Sequence, residues 1–132
     1  MSRAADGVHD GLTLIIQQEC MARGWPEGKM NMEYSSPNGN GEIDYHTEKN
    51  GYRIVFETKS HLNYKAWERG CSQIKRMSSN YFTDNKRTFY FIVHYNSKDH
   101  NDYTLHRIRH PKGRNPFWEA IQYVKTKYRK KQ

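Results

Sequence analysis

The stretch Gly41-Glu42-Ile43-Asp44-Tyr45-His46-Thr47-Glu48-Lys49-Asn50-Gly51-Tyr52-Arg53-Ile54-Val55-Phe56-Glu57-Thr58-Lys59 reads as a β-hairpin. Asn50-Gly51 is the strongest short hairpin signal, because a type I′ turn needs φ > 0 at both central residues. Before it, Ile43, Tyr45 and Thr47 alternate with Glu42, Asp44 and His46; after it, Tyr52 to Lys59 is rich in strand formers. With a two-residue loop Lys49 faces Tyr52, and the same register puts Asp44 directly opposite Glu57 and Glu42 opposite Lys59. Because strand side chains alternate, these four are expected on one face, with Ile43, Tyr45 and Thr47 on the other, apolar face beside Thr58, Phe56 and Ile54.

Facing residues hold their Cβ atoms roughly 4.5–5.5 Å apart, and like charges there are destabilising. Two opposed carboxylates beside a lysine therefore call for a cation. Mg²⁺ suits them, since it takes one or two carboxylates together with water and phosphate oxygens. The arrangement depends on register, because a one-residue slip would send one carboxylate to the other face.

Outward from the hairpin, residues 8–22 read as a helix, with Val8, Leu12, Ile15, Ile16 and Glu19 on one side and Gly24 and Pro26 ending it. Met30 to Tyr34 alternates as a strand. Residues 63–81 form a second helix, on which Tyr64, Trp67, Cys71, Ile74, Ser78 and Tyr81 recur at spacings of three and four. Thr88 to Tyr95 is an apolar run typical of a buried strand, and Tyr103 to Ile108 an edge strand. Asn115-Pro116 opens a last helix, with Phe117, Ala120, Ile121, Val124 and Tyr128 inward. The order α-β-β-β-α-β-β-α predicts an α/β fold, a mixed central sheet flanked by helices. The 132 residues suit a single domain (1–132), with a core over 8–110 and a C-terminal helix and basic tail over 115–132.

Gly41-Glu42-Ile43-Asp44, then Phe56-Glu57-Thr58-Lys59, resembles the signature of the PD-(D/E)xK nucleases. Gln73, in Gly70-Cys71-Ser72-Gln73-Ile74, resembles the extra motif of RecB-like members. The leading helix followed by Ala22-Arg23-Gly24-Trp25 is similar to the opening of virus-type replication-repair nucleases and Holliday-junction resolvases. The pattern departs from the family in having Glu42-Ile43, not proline, before Asp44. The resemblance implies a restriction-endonuclease-like fold and a metal-dependent nuclease. Asp44, Glu57 and the Thr58 carbonyl would hold Mg²⁺ or Mn²⁺, Lys59 would position or deprotonate the attacking water, and Gln73 would orient water or substrate. The family often adds an acidic residue from the first helix. Glu19 is placed ahead of Asp10 for that role, because a carboxylate on the apolar face is costly unless it serves something.

A net charge of +8 and a pI near 9.5 favour a polyanionic partner. Lys65, Arg69, Lys75, Arg76, Lys86 and Arg87, with the tail Lys125, Lys127, Arg129, Lys130 and Lys131, are expected to supply phosphate contacts, which set affinity but not sequence choice. His46 and His61 are expected as solvated surface residues. No apolar run approaches the roughly 20 residues of a spanning helix, and no secretory signal is legible. An intracellular protein with no membrane attachment is expected, with Cys20 and Cys71 reduced and structural. The substrate expected is DNA over RNA, cut by structure (branched DNA, flaps or ends) rather than by sequence. The resemblance adds a candidate homodimer. A ribonuclease toxin with the same centre, or an inactive nucleic-acid-binding module of the same fold, are the alternatives.

Overall fold

The turn forms as its residues require: Asn50 has φ 54° and Gly51 φ 83°, both in the left-handed region of a type I′ turn. The computed structural model describes residues 3–37, 39–96 and 102–117, with side chains from Gly11 onward. Along the chain run α1 (Arg3–Ala22), β1 (Lys29–Ser36), β2 (Gly39–Lys49), β3 (Tyr52–Lys59), α2 (Tyr64–Asn80), β4 (Arg87–Tyr95) and β5 (Tyr103–Ile108). The five strands make one sheet in sequential order. β3 and β4 are parallel and the other neighbours antiparallel. The parallel pair needs a crossover, and α2 is that crossover. The expected mixed α/β order is present through β5. The expected last helix and the basic tail fall, beyond Phe117, outside the described residues.

The two helices cover opposite faces. Leu12, Ile16 and Cys20 of α1 pack on Tyr45, Phe56, Val93, Tyr95, Tyr103 and Leu105. Trp67, Ile74 and Met77 of α2 pack on Tyr34, Ile43, Val55, Tyr90, Ile92 and Ile108. α2 starts at Asn63, whose side chain accepts the Ala66 amide at 2.8 Å, satisfying one of the orphan donors of a helix start. Its buried stripe is Trp67, Gly70, Ile74, Met77 and Ser78, so the expected Tyr64 and Tyr81 stand exposed instead. Among the described residues, no helix is long and apolar enough to cross a membrane.

The hairpin register is the expected one from Lys49–Tyr52 to Tyr45–Phe56, where the pairing ends. One expectation about faces fails. Ile43 joins the core under α2, whereas Tyr45 joins the core under α1. β1 does the same, Met32 packing with the first cluster and Met30 with the second. Both strands therefore turn over together between these positions. The β1–β2 register, Met30 with Tyr45 and Met32 with Ile43, sets Asn31 opposite Asp44. Asn31 has φ 52°, a left-handed conformation that asparagine tolerates better than most residues. Glu42 faces Glu33 of β1, not Lys59.

At Gly51 an added Cβ would meet nothing within 4 Å, while φ stays at 83°. Gly51→Ala should therefore lose stability through backbone conformation alone, by about 1 kcal/mol. Urea unfolding would measure it, and an unchanged midpoint would contradict the turn geometry.

Candidate active site

The site lies where β2 and β3 separate. β3 sends alternate residues to each side, with Val55 beneath α2 and Phe56 beneath α1. Glu57 and Lys59 keep the parity of Val55 and so face α2. Beyond the Tyr45–Phe56 pair, the Thr58 amide donates to Asp44 Oδ2 at 2.8 Å instead of to a β2 carbonyl. The Thr58 hydroxyl donates to the same oxygen at 3.1 Å. The Asp44 carboxylate thus fills the gap that the separating strands leave, accepting from a buried backbone donor.

Glu57 is 1 % exposed, and its Oε1 has no hydrogen-bond partner. Burial, and after it the charge of Asp44, push the Glu57 carboxyl well above the ordinary carboxylate range; Lys59 and the Asp44 backbone amide pull the other way. The Lys59 ammonium donates to Gln73 Oε1 at 2.8 Å. Burial lowers its pKa, opposed by the charges of Glu57 and Asp44. The approach of α2 makes this contact possible. Gly70 lies over Ile92 and Lys59, and a Cβ there would sit 2.7 Å from Ile92 Cδ1 and 3.4 Å from Lys59 Cε.

Asp44, Glu57, Thr58, Lys59 and Gln73 are thus brought together. Glu19 is not. It is half-exposed, its carboxylate 3.9 Å from Arg23, and the burial expected of it is absent. The buried stripe of α1 is Leu12, Thr13, Ile16 and Cys20, rotated from the one the apolar spacing suggested. Asp10 lies in the part of α1 whose side chains are not described. The residue of α1 that does reach the site is Thr13, whose hydroxyl is 3.2 Å from that of Thr58. Nothing marked Thr13 beforehand except its place beside Leu12 at the start of the buried stripe.

One of the two histidine expectations changes. His46 is buried against the Phe82 ring, with neither ring nitrogen hydrogen-bonded; burial lowers its pKa and favours the neutral imidazole. His94 pairs with Lys59 in the β3–β4 register and stacks on His106 at 4.9 Å with 9° between planes. Their Nε2 atoms are 2.9 Å apart, so one ring donates and the other accepts. His61 is exposed, as expected. The expected basic rim divides. Lys65, Arg69 and Lys75 lie on α2, whereas Arg87 pairs with Tyr52 at the opposite end of β3 from Lys59 and Lys86 pairs with Glu48. Both cysteines are free thiols.

Whether this centre suits a divalent cation can be judged from its donors. Among the described residues, no three His, Cys, Asp or Glu side chains gather as a metal-ligating group. A cation would therefore rest on two carboxylates and a backbone carbonyl, the sparse protein share typical of Mg²⁺. The unpartnered Glu57 Oε1 beside a second carboxylate fits that role. No protein-family model matches the chain, and neither a curated protein nor a solved structure matches it.

In metal-free protein the sign of the pH dependence follows from Glu57. A carboxyl whose folded pKa is raised stabilises the fold below its ordinary value of 4.5, and that contribution is lost as pH rises through the folded value. Glu57→Gln in EDTA should therefore melt higher than wild type near neutral pH, with the gap closing toward about pH 4.5. Asp44→Ala should do the opposite, losing about 1–3 kcal/mol because the Thr58 amide and hydroxyl lose the acceptor they share. Thermal melts across pH would check both; a Gln variant less stable than wild type at neutral pH would contradict the burial argument.

Proposed function

We propose that the chain is a metal-dependent nuclease of the PD-(D/E)xK type, with a restriction-endonuclease-like arrangement of its sheet, hydrolysing DNA phosphodiester bonds. One observation carries the reading: a fully buried glutamate with an unpartnered oxygen, beside a second carboxylate and a lysine that a glutamine holds in place. A structural ion pair would have satisfied that oxygen. Burying a carboxylate without a partner is expensive, and function at the site is the compensation proposed.

Asp44, Glu57 and the Thr58 carbonyl would hold Mg²⁺ or Mn²⁺. When bound, the ion supplies Lewis acidity, polarising a phosphate oxygen and lowering the pKa of water. The other work falls to side chains. Gln73 fixes Nζ of Lys59, and burial brings the neutral amine closer to working pH. Lys59 can then take a proton from the attacking water at Nζ, or as ammonium offset the charge that builds on the phosphorus centre. Asp44 holds Thr58 and so fixes the spacing of the separating strands. The +8 surplus draws the polyanion in. The chemistry is shared with a ribonuclease, and cutting guided by structure is the form of the reading proposed.

The test is a cleavage panel in Mg²⁺ and Mn²⁺ over linear, nicked, flapped, four-way and single-stranded DNA, with matched RNA hairpins. Cleavage of DNA is expected. RNA cleavage alone would move the assignment to a ribonuclease, and no cleavage in either metal would leave a binding module. Lys59→Ala should lower turnover by about 10²–10⁴-fold while retaining binding in Ca²⁺. Glu19→Ala should cut at the wild-type rate; a loss there would restore the role that its half-exposed position argues against.

A further inference from the structure

A second feature lies outside the centre just described. The outer face of α2 and the segment 113–117 enclose a cleft of about 650 Å³. Its far wall is built, not incidental. The Trp67 indole, buried in the α2 core, donates to the Asn115 carbonyl at 2.8 Å. The Asn115 side chain in turn bonds the His110 amide and carbonyl. Phe117 packs on Trp67 and edge-on to Tyr64. The lining carries four cations, Lys65, Arg69, Lys75 and Arg114, against one carboxylate, Glu68. Glu68 lies one helical turn from Tyr64 and raises the pKa of its phenol. Tyr64 itself is 58 % exposed on the first turn of α2.

We propose that this cleft binds a single-stranded stretch of nucleic acid, with Lys65, Arg69, Lys75 and Arg114 on its phosphates and a base stacked on Tyr64. The volume is that of a site for a small ligand, within roughly 300–1,000 Å³. It takes a nucleotide or two, whereas a duplex would bridge its mouth. A cationic groove with an aromatic platform is the pairing that proteins use for single strands, because every base presents a π face. The cleft lies one residue along α2 from the centre. Arg69 precedes Gly70, which packs on Lys59, and the Arg69 charge is felt at the Lys59 ammonium. Resting on the nuclease reading above, this makes the substrate one with an unpaired segment next to the bond cut, such as a flap or a frayed end.

Binding is measured without cleavage, in EDTA, by fluorescence anisotropy. The probes are labelled oligothymidine and oligouridine of roughly 12 nucleotides, within the span of one such groove, and a blunt DNA duplex. Lys65→Ala/Arg114→Ala should weaken single-strand binding tenfold or more, and lower the slope of log K against log salt by about 1.4, two phosphates at about 0.7 each. Tyr64→Ala should weaken it about tenfold, while Tyr64→Phe, which keeps the ring, binds as wild type. Duplex binding should change little. Variants that keep their circular dichroism and bind both oligomers like wild type overturn the proposal, as do equal losses for duplex and single strand. These readouts do not involve turnover. Failure of the cleavage panel with this result intact would sink the nuclease and spare the cleft; the reverse would spare the nuclease.

Discussion

A buried carboxylate with no donor for one of its oxygens is the constraint around which this sheet is arranged. Glu57 sits on an interior strand, under α2, within the electrostatic reach of Asp44. Removing a charge from water costs several kcal/mol unless it is paired, and the neighbouring lysine is itself shared with Gln73. The remaining routes are a proton or a cation. That choice makes stability, ionisation and ligand binding one problem at a single residue, as expected where a perturbed acid sits among converging polar groups.

The gap between β2 and β3 is what admits such a cluster. Had the hairpin ladder continued past Tyr45 and Phe56, the Thr58 amide would have been consumed by a β2 carbonyl. Asp44 does that work with its side chain instead, and Thr13 ties the other side of Thr58 to α1. The same place is where β1 and β2 turn over, with Asn31 in a left-handed conformation opposite Asp44. Local backbone irregularity, hydrogen bonding and the proposed chemistry therefore meet at one crossing, at the end of the parallel β3–β4 pair where α2 begins to cover the face.

Much of this was readable beforehand, for definite reasons. Asn50-Gly51 admits few conformations, so it set both the hairpin and its register. Glu57 and Lys59 then followed from strand parity, whereas Gln73 was pointed to by the family resemblance alone. The face of Asp44 was not readable, because a period of two assumes an unbroken pleat, and only the pairing with β1 exposes the break at Asn31. Glu19 was misplaced for a related reason. Counting only apolar residues favoured a stripe through Ile15, while the buried one runs through Thr13, a polar residue whose partner is on β3. His94 and His106 meet only through β4–β5 pairing, and the cleft exists because Trp67 holds Asn115, 48 positions away. Contacts of that sequence separation leave no local pattern.

The most direct measurement is a calorimetric titration of Mn²⁺ into metal-free wild type and Glu57→Gln, with no nucleic acid present. Saturable binding by wild type, lost or strongly weakened in the Gln variant, is the expected result. Equal binding by the two proteins, or none by wild type at millimolar Mn²⁺, would contradict a cation-holding role for the buried glutamate and leave its burial without an explanation.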